Sequence, residues 1–259
     1  MAKQMRFGVL VWLMCLPLMV SALTDIEAVN VSGSQRMLTQ RMMKDYLMIG
    51  ADVKADQAKS ELTASMARFD ANLAALVAYS DSPDTNAGLE LVASIWSGHK
   101  AHLQQDADKT TVVTLLDENL QLLAACQALV EKIENKSTQR NTEVVNLAGR
   151  QRMLSQRIAK AYMALYWQVP DPKLQAELDQ AEAEFDTALT KLQAYSGNTN
   201  EINQELGRVA VHWKFARPGM DLSPDKPHAP GNIFTTMNSV MDKMNQITHL
   251  YEVAQKTPG

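Results

Sequence analysis

The chain has 259 residues and a formal net charge of −4, with 46% hydrophobic and 21% charged residues. An acidic balance of this kind excludes a general nucleic-acid binder, and two cysteines, Cys15 and Cys126, exclude a disulfide-stapled scaffold.

In chain order, Lys3 and Arg6 precede an apolar stretch from Phe7 to Val20, and Val20-Ser21-Ala22 supplies the small residues of a cleavage site. Residues 1–22 are therefore expected to be a secretory signal peptide cut after Ala22, which puts the mature protein in the periplasm. The run falls short of the roughly 20 residues that span a bilayer comfortably, which favours cleavage over an uncleaved signal anchor. Loss of this segment leaves 237 residues with a formal charge of −6 and Cys126 alone, so no intramolecular disulfide can form.

From there on, apolar residues recur at three- and four-residue intervals, as in Leu73, Leu76, Val77 and in Leu116, Leu120, Leu123, and no stretch alternates with period two. The pattern predicts helices over about 25–50, 53–80, 86–105 and 110–138, then 140–168, 172–196, 199–216 and 232–255. Ser80-Asp-Ser-Pro83, Pro170-Asp-Pro172 and Ser196-Gly197-Asn198 break the periodicity at the expected joints. Residues 216–231 hold four of the nine prolines and must form a loop without a counterpart earlier in the chain.

The chain repeats itself. Asn30-Val-Ser-Gly33-Ser-Gln-Arg36-Met-Leu-Thr-Gln40-Arg41-Met-Met-Lys44 returns 116 residues later as Asn146-Leu-Ala-Gly149-Arg-Gln-Arg152-Met-Leu-Ser-Gln156-Arg157-Ile-Ala-Lys160. At the same offset, Phe69-Asp70-x-x-Leu73-x-x-Leu76-x-Ala78-Tyr79-Ser80 matches Phe185-Asp186-x-x-Leu189-x-x-Leu192-x-Ala194-Tyr195-Ser196, and Trp96 matches Trp213 at one residue more. The expected architecture is all-α: two tandem antiparallel four-helix bundles, residues 23–138 and 139–259. Glu134 to Thr142 is polar but contains neither Gly nor Pro. That favours a continuous helix joining two bundles stacked end to end, over a bend that would lay them side by side.

Each copy of the motif places three or more cations and no acid on about four helical turns. With Arg36 at zero on a helical wheel, Gln40 falls at about 40°, Gly33 at about 60°, Lys44 at about 80° and Arg41 at about 140°. A glycine in a helix costs about 1 kcal/mol relative to alanine, so its presence in both copies asks for close approach of a helix or a ligand. Guanidinium forks match planar oxyanions, and two arginines facing each other across a two-fold axis would clamp one anion between them. The competing reading is a solvated helix face, or arginines paired with Asp70 and Asp186; a surface face would, however, mix signs.

Asn-x-x-Gly-x-x-Arg-Met-x-x-x-Arg resembles the P-box of the PilJ/NarX-type sensor domain of type IV pilus chemotaxis transducers and nitrate-sensing histidine kinases. The resemblance covers both halves of the mature chain. It implies a helical input domain that binds nitrate, nitrite or a similar small anion at a dimer interface. It assigns the ligand to Gly33 and Arg36, and to Gly149 and Arg152, with Gln40, Arg41, Lys44, Gln156, Arg157 and Lys160 around them. The site would form between the two copies or with a twin from another chain as a homodimer. The sequence carries no second membrane span, HAMP-like linker, kinase or methyl-accepting coiled coil, so a membrane-bound signalling partner is expected. The alternative is a periplasmic helical module that docks a membrane chemoreceptor or a pilus component without binding a small ligand.

Other constellations point nowhere as firmly. His99-Lys-Ala-His102 puts two imidazoles one turn apart with Asp106 beyond, but no second cluster completes a metal site. No phosphate loop, nucleophile–histidine–acid signature or paired-carboxylate motif supports an enzyme, and no cofactor is expected.

Overall fold

The computed structural model describes residues 23–137 and 142–256; the signal-peptide reading of residues 1–22 lies outside the described residues. Among the latter there are eight α-helices, one short 3-10 turn and no strand: α1 (Asp25–Gly50), α2 (Ala55–Tyr79), α3 (Pro83–Leu103), α4 (Lys109–Lys136), α5 (Thr142–Tyr166), α6 (Leu174–Gln193), α7 (Asn200–Ala216) and α8 (Pro230–Lys256). No helix among them is long and apolar enough to cross a membrane.

Local chemistry sets the ends. Thr24 and Glu27 form a reciprocal capping box at the start of α1, Asp108 accepts from the Thr110 N–H at 2.7 Å before α4, and Thr199 accepts from the Ile202 N–H before α7. Pro83 and Pro230 occupy first-turn positions, where the missing N–H costs nothing. α1 and α5 end in the same way. Asp52 and Gln168 adopt left-handed φ values of 53° and 58°. The Val53 and Val169 N–H groups reach back to the Met48 and Ala164 carbonyls, as in a Schellman turn. These equivalent positions repeat the 116-residue offset in backbone conformation.

α1 packs against α2, α4 and α5, and α5 against α6, α8 and α1; α3 lies on α4 and α7 on α8. Each half is thus a four-helix unit, and the two share a wall made of α1 and α5. These central helices are buried on nearly every face, while α2, α3, α6 and α7 bury a single stripe and expose the rest. The matched aromatics close the outer cores: Phe69 meets Trp96 at 4.4 Å between ring centroids, and Phe185 meets Trp213 at 4.8 Å.

The expected continuous helix between the halves is not what the chain does. α4 stops at Lys136, and Ser137 leaves the helix with extended backbone (ψ 130°). α5 then runs beside α1 and parallel to it, with like positions adjacent: Gly33 lies by Arg152, Gly149 by Arg36, and Gly50 against Trp167. The reason is the polar strip on each first helix. Side by side, the strips of α1 and α5 complete one another away from water; stacked end to end, each would lack its partner.

Candidate functional site

Arg36 on α1 and Arg152 on α5 are 1% and 2% exposed, so the strip that resembles a solvated face is the inside of the molecule. Their terminal Nη2 atoms meet at the junction of the two halves. A Cβ placed on Gly33 would lie 3.3 Å from Nη2 of Arg36 and 3.6 Å from Nη2 of Arg152. One placed on Gly149 would lie 3.1 Å from Nη2 of Arg152 and 3.7 Å from Nη2 of Arg36. The two glycines therefore leave the floor on which both guanidinium ends rest, which is why neither helix carries a side chain there.

Every hydrogen bond recorded for the pair goes to a neutral oxygen. Arg36 donates from Nη1 to Gln127 Oε1 and from Nη2 to Asn146 Oδ1, both at 2.6 Å. Arg152 donates from Nη1 to Asn245 Oδ1 at 2.9 Å, and from Nη2 to Asn30 Oδ1 at 2.6 Å and the Asn30 carbonyl at 3.4 Å. The Nε atoms of both arginines are buried without a partner. Among the described residues no carboxylate forms an ion pair with either guanidinium. Burial pulls Arg36 down to about 10, with Arg150 adding to the effect, and Arg152 down to about 9, with Arg36 adding to it. Both stay charged at neutral pH. Two like charges are thus held together inside the protein on dipoles, with Glu131 and Glu134 favouring the charge of Arg36, and Glu252 that of Arg152, only from beyond ion-pair contact; an anion in contact with both would gain and a cation lose.

The acids suggested as partners are engaged elsewhere. Asp70 accepts from Trp96 Nε1 at 2.8 Å and from Lys100, and Asp186 accepts from Trp213 Nε1 at 2.6 Å and from Arg217. The structure brings Gly33, Arg36, Gly149 and Arg152 together, and the other six motif residues stand further along the same helices. Arg41 and Lys44 reach Glu61 on α2 at 3.1 and 3.6 Å, with Lys44 also 3.0 Å from the buried Asp45. Arg157 and Lys160 share Glu177 on α6 at 3.0 and 2.7 Å. Gln40 donates to Asn119 and Thr39, and Gln156 to the Met237 carbonyl. Arg41, Lys44, Arg157 and Lys160 are thus all in ion pairs, the last two sharing one carboxylate, and tie the first helices to α2 and α6, whereas Arg36 and Arg152 have no carboxylate in ion-pair contact.

Asn30, Gln127, Asn146 and Asn245 went unassigned in the sequence. Asn30 and Asn146 open the two copies of the motif, so their repetition was a signal; their contacts run between copies, and spacing within one copy cannot show them. Cys126, next to Gln127, is buried and its thiol is pushed up to about 12, which keeps it protonated. Among the described residues no group of three or more His, Cys, Asp or Glu side chains is arranged to hold a metal; His102 instead contacts Glu118 at 2.8 Å.

The PilJ model, described as the N-terminal part of type IV pili methyl-accepting chemotaxis transducers, matches residues 18–119 and again residues 134–233. No curated protein and no solved structure matches the chain. With two tandem matches over most of its length, the chain belongs to the PilJ family.

Proposed function

We propose that this PilJ-family chain is an exported periplasmic sensor-type protein whose two halves, residues 23–138 and 139–259, together hold one small oxyanion, nitrate or nitrite, between Arg36 and Arg152. The observation that carries the reading is the buried pair of guanidinium groups bonded only to carboxamide and carbonyl oxygens. An oxyanion placed there would replace neutral acceptors by charged ones, making shorter and stronger bonds, and would cancel the repulsion between the arginines. Because the two arginines come from different halves, the gain depends on how α1 and α5 sit against each other. Binding is thereby linked to the arrangement of the bundles, the form of input a sensor needs. Transmission falls to a membrane-bound partner.

The test is a thermal-shift screen of the mature protein against nitrate, nitrite, chloride and sulfate. Nitrate or nitrite at a hundredfold excess over Kd is expected to raise Tm by about 5–10 °C, and Arg36→Ala or Arg152→Ala to remove the rise. A protein unmoved by every anion would speak for the other reading, a helical module that docks a chemoreceptor or pilus component without a small ligand.

A further inference from the structure

Four carboxamides cover the guanidinium pair, and two of them are exchanged between the halves. Asn30 of α1 bonds Arg152 of α5, while Asn146 of α5 bonds Arg36 of α1, each at 2.6 Å and each on Nη2. Nη2 is also the atom that both glycines bring toward the junction. The two asparagine oxygens therefore occupy the positions that the oxygens of an anion bridging the arginines would need. The arginines are sealed, whereas Asn30 and Asn146 are half-buried, so an anion arriving from water meets the carboxamides first. Asn146 has a second anchor, its Nδ2 donating to Glu134 Oε2 at 2.6 Å at the end of α4.

We infer that Asn30 and Asn146 are exchangeable internal ligands: their oxygens stand in for the oxygens of the anion on Arg36 and Arg152, and the anion competes them away. The inference rests on the anion reading of the pair. A carboxamide satisfies the guanidinium hydrogen bond without neutralising its charge, which lets the empty protein fold while leaving most of the electrostatic gain for the ligand. It also makes these asparagines the residues that set affinity, since every bond the anion forms at Nη2 costs one they already make. Release of Asn146 would free its hold on Glu134, giving α4 a direct report of occupancy.

The sign of the effect separates this role from that of an ordinary ligand contact. In calorimetric titration with nitrate, Asn30→Ala and Asn146→Ala are expected to bind about tenfold tighter than the wild type, the worth of one competing hydrogen bond. Weaker or unchanged binding would overturn the inference. A second arm needs no anion. Asn30→Asp places a permanent carboxylate against Arg152; it is chosen over Asn146→Asp because Asn146 faces Glu134. In nitrate-free buffer at neutral pH this variant should melt roughly 2–4 °C higher than the wild type, and it should give no nitrate heat. An unchanged or lower Tm would count against it. If wild type gives no nitrate heat while Asn30→Asp gains stability, the nitrate reading fails, and what remains is only that an oxyanion of the chain itself can replace the carboxamide at Arg152 Nη2. If wild type binds nitrate but neither alanine variant tightens, the nitrate reading stands and the stand-in role fails.

Discussion

Arg36 and Arg152 each give a terminal nitrogen to an asparagine of the opposite half, and no carboxylate among the described residues bonds to either of them. A charge so placed is a cost carried by the fold. Replacing one partner of an uncompensated buried pair by an apolar side chain of similar length removes that cost, and the neighbouring carboxamides are open enough to turn to water. Arg152→Met is therefore expected to stabilise the anion-free protein by about 1–4 kcal/mol while abolishing the nitrate-induced shift. Urea unfolding with and without nitrate measures both effects on one sample, and a variant less stable than the wild type would show that the arginine supports the fold.

The glycines predict a graded effect. A methyl on Gly149 would stand 3.1 Å from Arg152 Nη2, against 3.3 Å for a methyl on Gly33 and Arg36 Nη2. Helix propensity favours alanine by about 1 kcal/mol, which offsets the crowding, so Gly149→Ala should change stability by less than about 1 kcal/mol in either direction. The guanidinium ends must shift to admit the methyl, however, and nitrate affinity should fall, more in Gly149→Ala than in Gly33→Ala. Titration calorimetry ranks the two.

Two buried groups confined to the first half set opposing pH dependences. Burial raises Asp45 from 3.8 to about 6, opposed by Lys44 and reinforced by Glu61, with Arg41 opposing more weakly. The folded state therefore holds this proton more tightly than the unfolded chain does, and the contribution falls as pH rises from about 4 to 6. Burial lowers His99 from 6.5 to about 4, against the pull of Glu118 and with help from His102 and Lys160. Its contribution is complete above 6.5 and is lost as pH falls toward 4. The contributions of these two groups oppose each other in the wild type. Asp45→Asn should leave a stability that climbs between pH 4 and 6, His99→Gln one that declines, each by on the order of 1–3 kcal/mol. Denaturant unfolding at half-unit pH steps reads the slopes, and two variants with the same slope would contradict the assignment.

The left-handed turns after α1 and α5 are a reserve of stability. A residue with a Cβ in this conformation costs roughly 1 kcal/mol more than glycine. Gln168→Gly is expected to recover about that much, less the extra freedom glycine gives the unfolded chain, and Asp52→Gly somewhat less because aspartate tolerates the region better. A rise of a few degrees in Tm with unchanged nitrate response is the expected outcome.

Much of this molecule could be read from residue order. The helices follow from three- and four-residue periodicity, several joints from Ser80-Asp-Ser-Pro83, Pro170-Asp-Pro172 and Ser196-Gly197-Asn198, and the duplication from the 116-residue offset. Arg36 and Arg152 stood out because no acid accompanies them in sequence. What spacing could not supply was anything decided between elements. Apart from Asp45 beside Lys44, the acids paired with Arg41, Lys44, Arg157 and Lys160 come from α2 and α6. α4 ends after Lys136 without glycine or proline, because Ser137 can take extended backbone without strain. That α5 then lies beside α1 follows from the partnering of those two helices, a tertiary demand that sequence spacing does not show.

That α1 and α5 belong to one polypeptide changes how such a site can evolve. In a symmetric pair of identical chains each substitution appears on both walls at once, so a change that helps on one side must be tolerated on the other. Here the walls are written separately, and they already differ: Gln127 faces one arginine and Asn245 the other, Asp45 stands where the second half has Ala161, and Asn146 is tied to Glu134. Because the two walls are separate stretches of one chain, each can change without the other, so under the proposed anion reading selectivity could be adjusted on one wall while the other keeps the fold.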